Sequence, residues 1–175
     1  MPPRAKEEGG RDALHILILT ADTGGGHRAA ACGVRDGLVA RFGTAALRIS
    51  TVDIWTEVAP FPFNTLVAQY RFMSKHPLVW WLFYHFTAVM LVFLDLWSTW
   101  VCAEHFRRFF KKMRPDLVIS VHPMCQHLPL RVLKELGGGS GRAVPFATVV
   151  TDLGHCHPVW FHEDCDALFA PRCAF

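Results

Sequence analysis

The 175-residue sequence has six cysteines but no Cys-x-x-Cys pair, and it shows no secretory signal peptide. These absences favour a reducing compartment over a disulfide-stapled secreted fold. The segment His155-Cys156-His157, with His162, Cys165 and Cys173, is rich in potential metal ligands. Because its spacing matches no common zinc finger, we expect no metal site.

Strong positive charge is also lacking, since the formal net charge is only +3 and there is no long tract of lysine or arginine. This excludes the usual signature of a nucleic-acid partner. The cationic residues that do cluster are Arg107, Arg108, Lys111, Lys112 and Arg114. They fit either a patch for anionic lipid headgroups or a solvated helix end, where the helix dipole favours cations.

The short polar start of the chain, residues 1–12, carries acidic residues and no Arg/Ser-rich amphipathic pattern. It therefore shows no recognisable transit peptide, and we expect a disordered lead. Residues 13–175 are long enough for one domain, and half of the whole sequence is hydrophobic.

The most informative feature is the apolar run Leu14–Thr20, followed by Asp22-Thr23-Gly24-Gly25-Gly26-His27. A continuous apolar run is typical of a strand buried on both faces of a parallel sheet. Glycines without a Cβ allow a sharp turn and a close approach to a ligand. The run matches neither the Rossmann Gly-x-Gly-x-x-Gly pattern nor a Walker A loop.

Residues 28–42 are predicted to form a helix, with Ala30, Val34, Leu38 and Phe42 on one face. His27 then lies at or near the helix N-terminus, where the dipole attracts phosphate and disfavours a protonated imidazole. The pattern therefore suggests a neutral base beside a phosphate site, and group transfer from a phosphorylated donor. A purely structural glycine turn is about equally compatible with the local sequence.

Strand and helix signals alternate along the rest of the chain, as a parallel α/β sheet requires. Strands are predicted at residues 46–54, 116–121, 143–151 and 167–170, and helices at 64–113 (broken near Pro77) and 126–136, the latter closed by a flexible glycine turn at 137–141. Asp22, Asp53, His122 and Asp152 each follow a predicted strand closely. They should gather at the carboxyl edge of the sheet, where ligands bind in such folds, although turn or helix-cap roles are as plausible for each one.

Residues 78–94 form an apolar stretch of about 17 residues, near the lower limit for crossing a bilayer. Trp80 and Trp81 are of the type that favours the lipid headgroup region. We favour partial insertion into a membrane surface over a buried core helix, and a core helix over a spanning one. The loop Pro60-Phe61-Pro62-Phe63 is either a second apolar contact or a rigid turn on the core.

Several motifs in order resemble the N-terminal half of the monogalactosyldiacylglycerol synthase family, over residues 14–171. They are Asp22-Thr23-Gly24-Gly25-Gly26-His27-Arg28-Ala29, Pro62-Phe63-Asn64, Ile119-Ser120-Val121-His122-Pro123, Gln126-His127 with Pro129-Leu130-Arg131-Val132-Leu133, and Thr151-Asp152-Leu153 with Cys156-His157-Pro158 and Trp160-Phe161-His162.

The resemblance implies a Rossmann-like parallel sheet with helices on both faces, forming the acceptor-binding half of a GT-B glycosyltransferase. Such enzymes move galactose from UDP-galactose to the 3-hydroxyl of diacylglycerol, with inversion and without a metal or other cofactor. By this likeness His27 is the general base, and Gly24, Gly25 and Gly26 lie beside the donor diphosphate. The expected location is the plastid envelope membrane.

The resemblance also implies lipid contacts. Pro62, Phe63 and Asn64 would engage diacylglycerol and an activating anionic phospholipid such as phosphatidylglycerol. The segment after His76, including Trp80 and Trp81, would lie against the membrane.

Members of the family continue into a C-terminal domain that binds the UDP-sugar, which this sequence does not contain. We therefore expect the chain to need a separate C-terminal half for turnover. The alternatives are a catalytically silent lipid-binding domain or a diacylglycerol glucosyltransferase. The choice between galactose and glucose would lie mostly in the half that is not present.

Overall fold

The computed structural model describes residues 13–140, 143–152, 156 and 158–171, with side chains except at 84, 87–92, 94, 139 and 140. Within them, five parallel strands form one sheet in the order β2-β1-β3-β4-β5. The strands are β1 (Leu14–Thr20), β2 (Leu47–Asp53), β3 (Leu117–Ser120), β4 (Phe146–Val149) and β5 (Ala167–Phe169). Each predicted strand is confirmed, with ends shifted by up to three residues. The predicted lead, residues 1–12, lies outside the described residues, as do His155, His157 and Cys173.

Five α-helices connect or flank these strands: α1 (Gly25–Phe42), α2 (Ile54–Glu57), α3 (Leu66–Met73), α4 (Pro77–Met113) and α5 (His127–Ser140). Pro77 is the first residue of α4, which confirms the predicted break because proline is well tolerated in the first turn. Single 3-10 turns cover Phe63–Thr65, Pro123–Cys125 and Pro158–Trp160.

Two helix limits differ from the sequence-based prediction by three residues or more. Helix α1 begins at Gly25, three residues earlier than predicted, so two of the three consecutive glycines 24–26 are helical. Helix α5 continues through Gly137 and Gly138, so the predicted glycine turn at 137–141 is wrong for its described part. A Cβ at Gly137 would meet the Cα of Ala143 at 3.0 Å. That glycine therefore permits a close approach of the chain that returns toward β4.

Helices cover both faces of the sheet. On one face, Ala31 of α1 is buried against Ile16, Ile18 and Val121. On the other, Cys102, Phe106 and Phe110 of α4 pack with α5 residues such as Val132. Helix α1 covers less of its face than predicted, because Phe42 at its end is exposed.

Helix α4 has two different halves. Its C-terminal half is buried on the sheet at Cys102, Phe106 and Phe110. The part of the helix before Cys102 exposes bulky apolar side chains, including Leu78, Leu82, Phe86, Phe93, Leu96 and Trp100. No helix in the described part of the chain is long and apolar enough to cross a membrane.

The cluster of cationic residues noted in the sequence lies at the C-terminal end of α4. Arg107 pairs with Glu104 and Glu135, and Arg108 also pairs with Glu104. These ion pairs favour the helix-end interpretation for the two arginines, since their charges are met within the domain. The five cysteines in the described residues are free thiols, and burial raises the pKa of Cys102 to about 11.

Candidate active site

A cleft of about 750 Å³ opens at the carboxyl edge of the sheet, where β1 and β4 end. Such an edge is where open α/β sheets bind ligands, because loops from several strands meet there. The cleft is lined by Thr23, Gly24, Gly26, His27, Ala30, Tyr70, Val150, Thr151, Asp152 and Pro171.

His27 is the third residue of α1, and its ring reaches back over the sheet edge. Its Nδ1 lies 3.1 Å from the carbonyl oxygen of Val121 and 2.9 Å from the hydroxyl of Thr151. A carbonyl oxygen can only accept a hydrogen bond, so Nδ1 carries the ring proton and donates it. In the neutral ring, the Nε2 atom then has a free lone pair. The geometry therefore presents an imidazole that can accept a proton.

A second histidine lies directly beside this ring. The centroids of His27 and His122 are 4.2 Å apart, and His122 is only 3% exposed. The Nδ1 of His122 accepts from the backbone N–H of Met124 at 3.1 Å, and its Nε2 lies 2.8 Å from the hydroxyl of Thr23. Burial, together with the neighbouring His27, lowers the pKa of His122 to about 3, so this ring is neutral at ordinary pH.

The three glycines do not serve the sharp turn that the sequence suggested. Gly24 is extended at φ −170° and caps α1, while Gly25 and Gly26 lie in the first helical turn. A Cβ built at any of the three meets nothing within 4 Å. Neither backbone strain nor packing against the described residues therefore requires glycine here. The glycines leave open space at the helix start instead.

The predicted aspartates come to the expected edge, but each carboxylate already has partners. The Asp22 carboxylate pairs with Arg28 and Arg71. Asp53 caps α2 through the backbone N–H of Thr56 and also accepts from the N–H of Asp22. These contacts favour organising roles for both aspartates.

Asp152 is the one of these aspartates that lines the cleft, and its carboxylate accepts from the indole N–H of Trp160 at 2.6 Å. The structure thus brings together Gly24, Gly26, His27 and Asp152 around the cleft, with His122 beneath it.

A second, apolar cavity of about 560 Å³ lies under the loop before α3. Its lining includes the predicted residues Pro62 and Phe63, with Trp55, Leu66, Gln69, Phe83, Asp95, Trp97, Ser98, Pro123, Met124, His127, Leu128 and Val159. The predicted Asn64, Trp80 and Trp81 do not line it. Trp80 packs instead on Tyr70 of the cleft, with ring centroids 5.7 Å apart.

One wall of this cavity is polar. His127 faces His162 with ring centroids 4.9 Å apart. Burial, with the adjacent His162, lowers the pKa of His127. A lowered pKa favours the neutral imidazole, and a neutral ring suits a cavity that is otherwise lined mainly by apolar side chains.

Sequence reasoning did not single out Thr23, Tyr70 and Thr151 as site residues. Thr151 lies just past β4, directly before Asp152, so the same strand-end argument could have found it. Tyr70 reaches the cleft from α3, a position that only the tertiary structure reveals. Across the residues that the structure describes, no three histidine, cysteine or acidic side chains are grouped to hold a metal ion.

Comparison with known proteins matches residues 27–175 to the family described as monogalactosyldiacylglycerol (MGDG) synthase. A probable MGDG synthase, chloroplastic, from Nicotiana tabacum is 41% identical over 159 residues, covering 89% of this chain and 29% of that protein. MGDG synthase 2, chloroplastic, from Arabidopsis thaliana is 37% identical over 168 residues, covering 93% of this chain and 35% of that protein. The chain thus spans about a third of the length of these relatives.

The parallel sheet, the helices on both faces and the cleft at the carboxyl edge define a Rossmann-like α/β domain. The family match extends over most of this domain, including His27 and the whole segment behind it. The chain belongs to the MGDG synthase family.

Proposed function

We propose that this chain is the acceptor-binding and catalytic-base part of an inverting glycosyltransferase that moves galactose from UDP-galactose to the 3-hydroxyl of diacylglycerol. The observation that carries the proposal is the His27 ring, whose Nδ1 is fixed by the Val121 carbonyl and whose Nε2 has no hydrogen-bond partner among the described residues. This ring lines the cleft beside Gly24 and Gly26. Family membership supplies the sugar and lipid chemistry.

In this mechanism His27 Nε2 takes the proton of the acceptor hydroxyl as that oxygen forms a bond to C1 of galactose. The bond from C1 to the diphosphate oxygen breaks, and its electron pair leaves with UDP. One displacement inverts the anomeric centre. The proposed step uses no metal or other cofactor, as the family resemblance implies.

The start of α1 provides a site for the donor diphosphate. The backbone N–H groups of its first turn have no partner within the helix, and together with the helix dipole they favour an anion, for which Gly24, Gly25 and Gly26 leave room. Negative charge develops on the diphosphate as UDP leaves, so the same field lowers the energy of the transition state.

The acceptor is proposed to reach the cleft from a membrane surface. Leu78, Leu82, Phe86, Phe93, Leu96 and Trp100 are exposed and recur at intervals of three, four or seven residues, so they share one face of α4. Such an apolar face on a domain surface is suited to the lipid interface. The apolar cavity at Pro62 and Phe63 would hold diacylglycerol, with an anionic phospholipid such as phosphatidylglycerol at the same loop.

The complete enzyme is proposed to include a C-terminal UDP-sugar domain, present in a separate polypeptide or a longer form of this chain. The relatives' greater length supports this arrangement, with residues 13–175 as one domain of the whole. Their names, which include the word chloroplastic, support a plastid location.

The test is a galactolipid assay with UDP-galactose and diacylglycerol. It uses this chain alone and this chain joined to the part of the Nicotiana tabacum relative that it does not span. We expect the joined protein to form galactolipid and His27→Ala to lower kcat by roughly 10²- to 10⁴-fold, as loss of a general base does. His105→Ala, an exposed histidine on α4, is the matched control and should retain activity.

Full activity in His27→Ala would remove that residue from the base role. Equal or better use of UDP-glucose would favour the glucosyltransferase branch. Vesicle binding without any sugar transfer, alone or joined, would favour a catalytically silent lipid-binding domain.

A further inference from the structure

The hydrogen bond between Thr23 and His122 has a definite direction. The backbone N–H of Met124 donates to His122 Nδ1 at 3.1 Å, so this nitrogen carries a lone pair. The neutral ring then has its proton on Nε2, which lies 2.8 Å from the Thr23 hydroxyl oxygen. His122 therefore donates and Thr23 accepts.

This direction leaves the hydroxyl proton of Thr23 available. A threonine hydroxyl is one donor as well as an acceptor, and among the described residues no acceptor takes that proton. Thr23 lines the cleft beside Gly24 and His27. The hydroxyl is therefore placed to donate to a ligand bound in the cleft.

His122 is held so firmly that it can impose this direction. Its carbonyl accepts from the Ser120 hydroxyl, which in turn accepts from the side-chain amide of Gln126. The Gln126 carbonyl oxygen accepts from Thr148 at 2.8 Å. Ser120, Gln126 and Thr148 are fully buried, and a satisfied buried network of this kind is rigid.

We propose that Thr23 is a substrate-contacting residue that donates its hydroxyl proton to an anionic oxygen bound in the cleft, and that His122 is the positioning residue that orients it. The inference rests on the proposed function for the identity of the anion, which is the donor diphosphate. The neighbouring backbone N–H groups of α1 add donors on the same side.

The charges around the cleft restrict where the anion can lie. The Asp152 carboxylate also lines the cleft, and a second negative group would be repelled at that end. The Asp22 carboxylate beside Thr23 is already paired with Arg28 and Arg71, whereas Asp152 accepts from the uncharged indole N–H of Trp160. The anion is therefore expected at the Gly24 end.

The first experiment is calorimetric titration of the chain with inorganic pyrophosphate. Thr23→Val, which keeps the shape and loses the hydroxyl, should weaken binding roughly tenfold to a hundredfold, as expected for a hydrogen bond to a charged group. Thr23→Ser keeps the hydroxyl and should bind nearly as the unaltered chain does. Equal binding by Thr23→Val, or no pyrophosphate binding by the unaltered chain, overturns the proposal.

The second experiment determines which ring nitrogen of His122 is protonated, by NMR of protein with ¹⁵N-labelled histidine. His122 should show a protonated Nε2 and an unprotonated Nδ1, without titrating between about pH 5 and 8. The groups that face it are His27, Asp53 and Asp152. The opposite tautomer, or a charged His122 in this range, overturns the positioning role even if Thr23→Val does not fold.

These outcomes separate the inference from the proposed function. Thr23-dependent pyrophosphate binding without galactolipid formation would support the role of Thr23 and contradict the proposed transferase activity. Galactolipid formation by Thr23→Val with a normal KM for UDP-galactose would support the transferase activity and contradict the role of Thr23.

Discussion

At the scale of single residues, the site depends on two adjacent histidines with different surroundings. Within the described part of the chain, His27 has one ring nitrogen fixed by a carbonyl and the other without a partner, whereas His122 has both nitrogens engaged. A ring with both nitrogens engaged cannot take a proton without losing a hydrogen bond. These surroundings fit the tasks proposed for the two rings, proton transfer for His27 and orientation for His122.

The depressed pKa of His122 predicts how stability depends on pH. The folded protein holds this ring neutral down to a pKa of about 3, against 6.5 for a free histidine. Its contribution is therefore complete above about pH 6.5 and is lost as the pH falls from 6.5 toward 3, by up to about 1.4 kcal/mol per pH unit. Urea unfolding of the unaltered chain and of His122→Gln at several pH values measures this.

For each protein, the free energy of unfolding is plotted against pH, and the two slopes are compared. Only the difference between them reports on His122, because carboxylates make both proteins sensitive to acid. We expect His122→Gln to be less stable at neutral pH and to lose stability less steeply on acidification. Parallel curves from pH 6.5 to 4 would contradict the neutral assignment of His122.

At the scale of secondary structure elements, α4 is the one that serves two environments. Its C-terminal half packs Cys102, Phe106 and Phe110 into the core, and its N-terminal half presents apolar side chains to the outside. The two halves belong to one continuous helix, so the exposed half is held in position by the buried half. This is why a surface with little packing of its own can keep one orientation.

Phenylalanines in the two halves provide a matched pair of substitutions. Phe106 is 0% exposed and Phe86 is 58% exposed. We expect Phe106→Ala to lower the free energy of unfolding by about 3–5 kcal/mol, and Phe86→Ala by less than about 1 kcal/mol. Urea unfolding measures both.

Vesicle flotation should give the opposite ranking. Phe86→Ala should weaken binding to vesicles that contain anionic phospholipid, whereas any folded Phe106→Ala protein should bind like the unaltered chain. Undiminished flotation of Phe86→Ala, also when combined with Leu82→Ala, would remove this face of α4 from the membrane contact.

At the scale of the whole molecule, two cavities lie near the active edge without sharing a lining residue. The cleft contains His27 and the start of α1, and the apolar cavity contains Pro62, Phe63 and Trp97. A polar ligand and an apolar ligand can therefore be held at the same time. This arrangement fits the reaction proposed above, between a nucleotide sugar and a lipid.

Filling either cavity should affect one ligand only. Ala30→Trp places a bulky ring in the cleft and should weaken pyrophosphate binding at least severalfold, while a short-chain diacylglycerol still binds. Met124→Trp should do the reverse, since Met124 lines the apolar cavity. Calorimetry of the two variants with each of the two ligands gives the four dissociation constants.

Loss of both ligands in one variant, with an unchanged melting temperature, would indicate that the two cavities act as one site. Retention of diacylglycerol binding in Met124→Trp would place the lipid elsewhere on the domain.

A third cavity, of about 790 Å³, lies among Arg107, Lys111, Arg114, Leu136 and Val144 at the amino-end edge of the sheet. This edge is opposite to the one where β1, β3 and β4 end at His27 and His122. Cavity volume alone therefore does not identify the functional edge, whereas the direction of the parallel strands does.

The sequence by itself determined the succession of strands and helices along the chain, because apolar runs and prolines set the conformation of their own segment. It also determined that His27 lies at a helix start and that Asp22, Asp53, His122 and Asp152 meet at one edge, since parallel strands end together. It could not determine that Phe42 is exposed or that α5 runs through Gly137, because those depend on what packs nearby.

Only the tertiary structure decided which partner each side chain takes. It showed the Asp22 and Asp53 carboxylates engaged by neighbours, and it brought Thr23 and His122, 99 positions apart in the chain, into hydrogen-bond contact. Hydrogen bonds of this length require positions correct to a fraction of an ångström. Such precision comes from the packing of the whole sheet and its helices, which no local pattern of residues encodes.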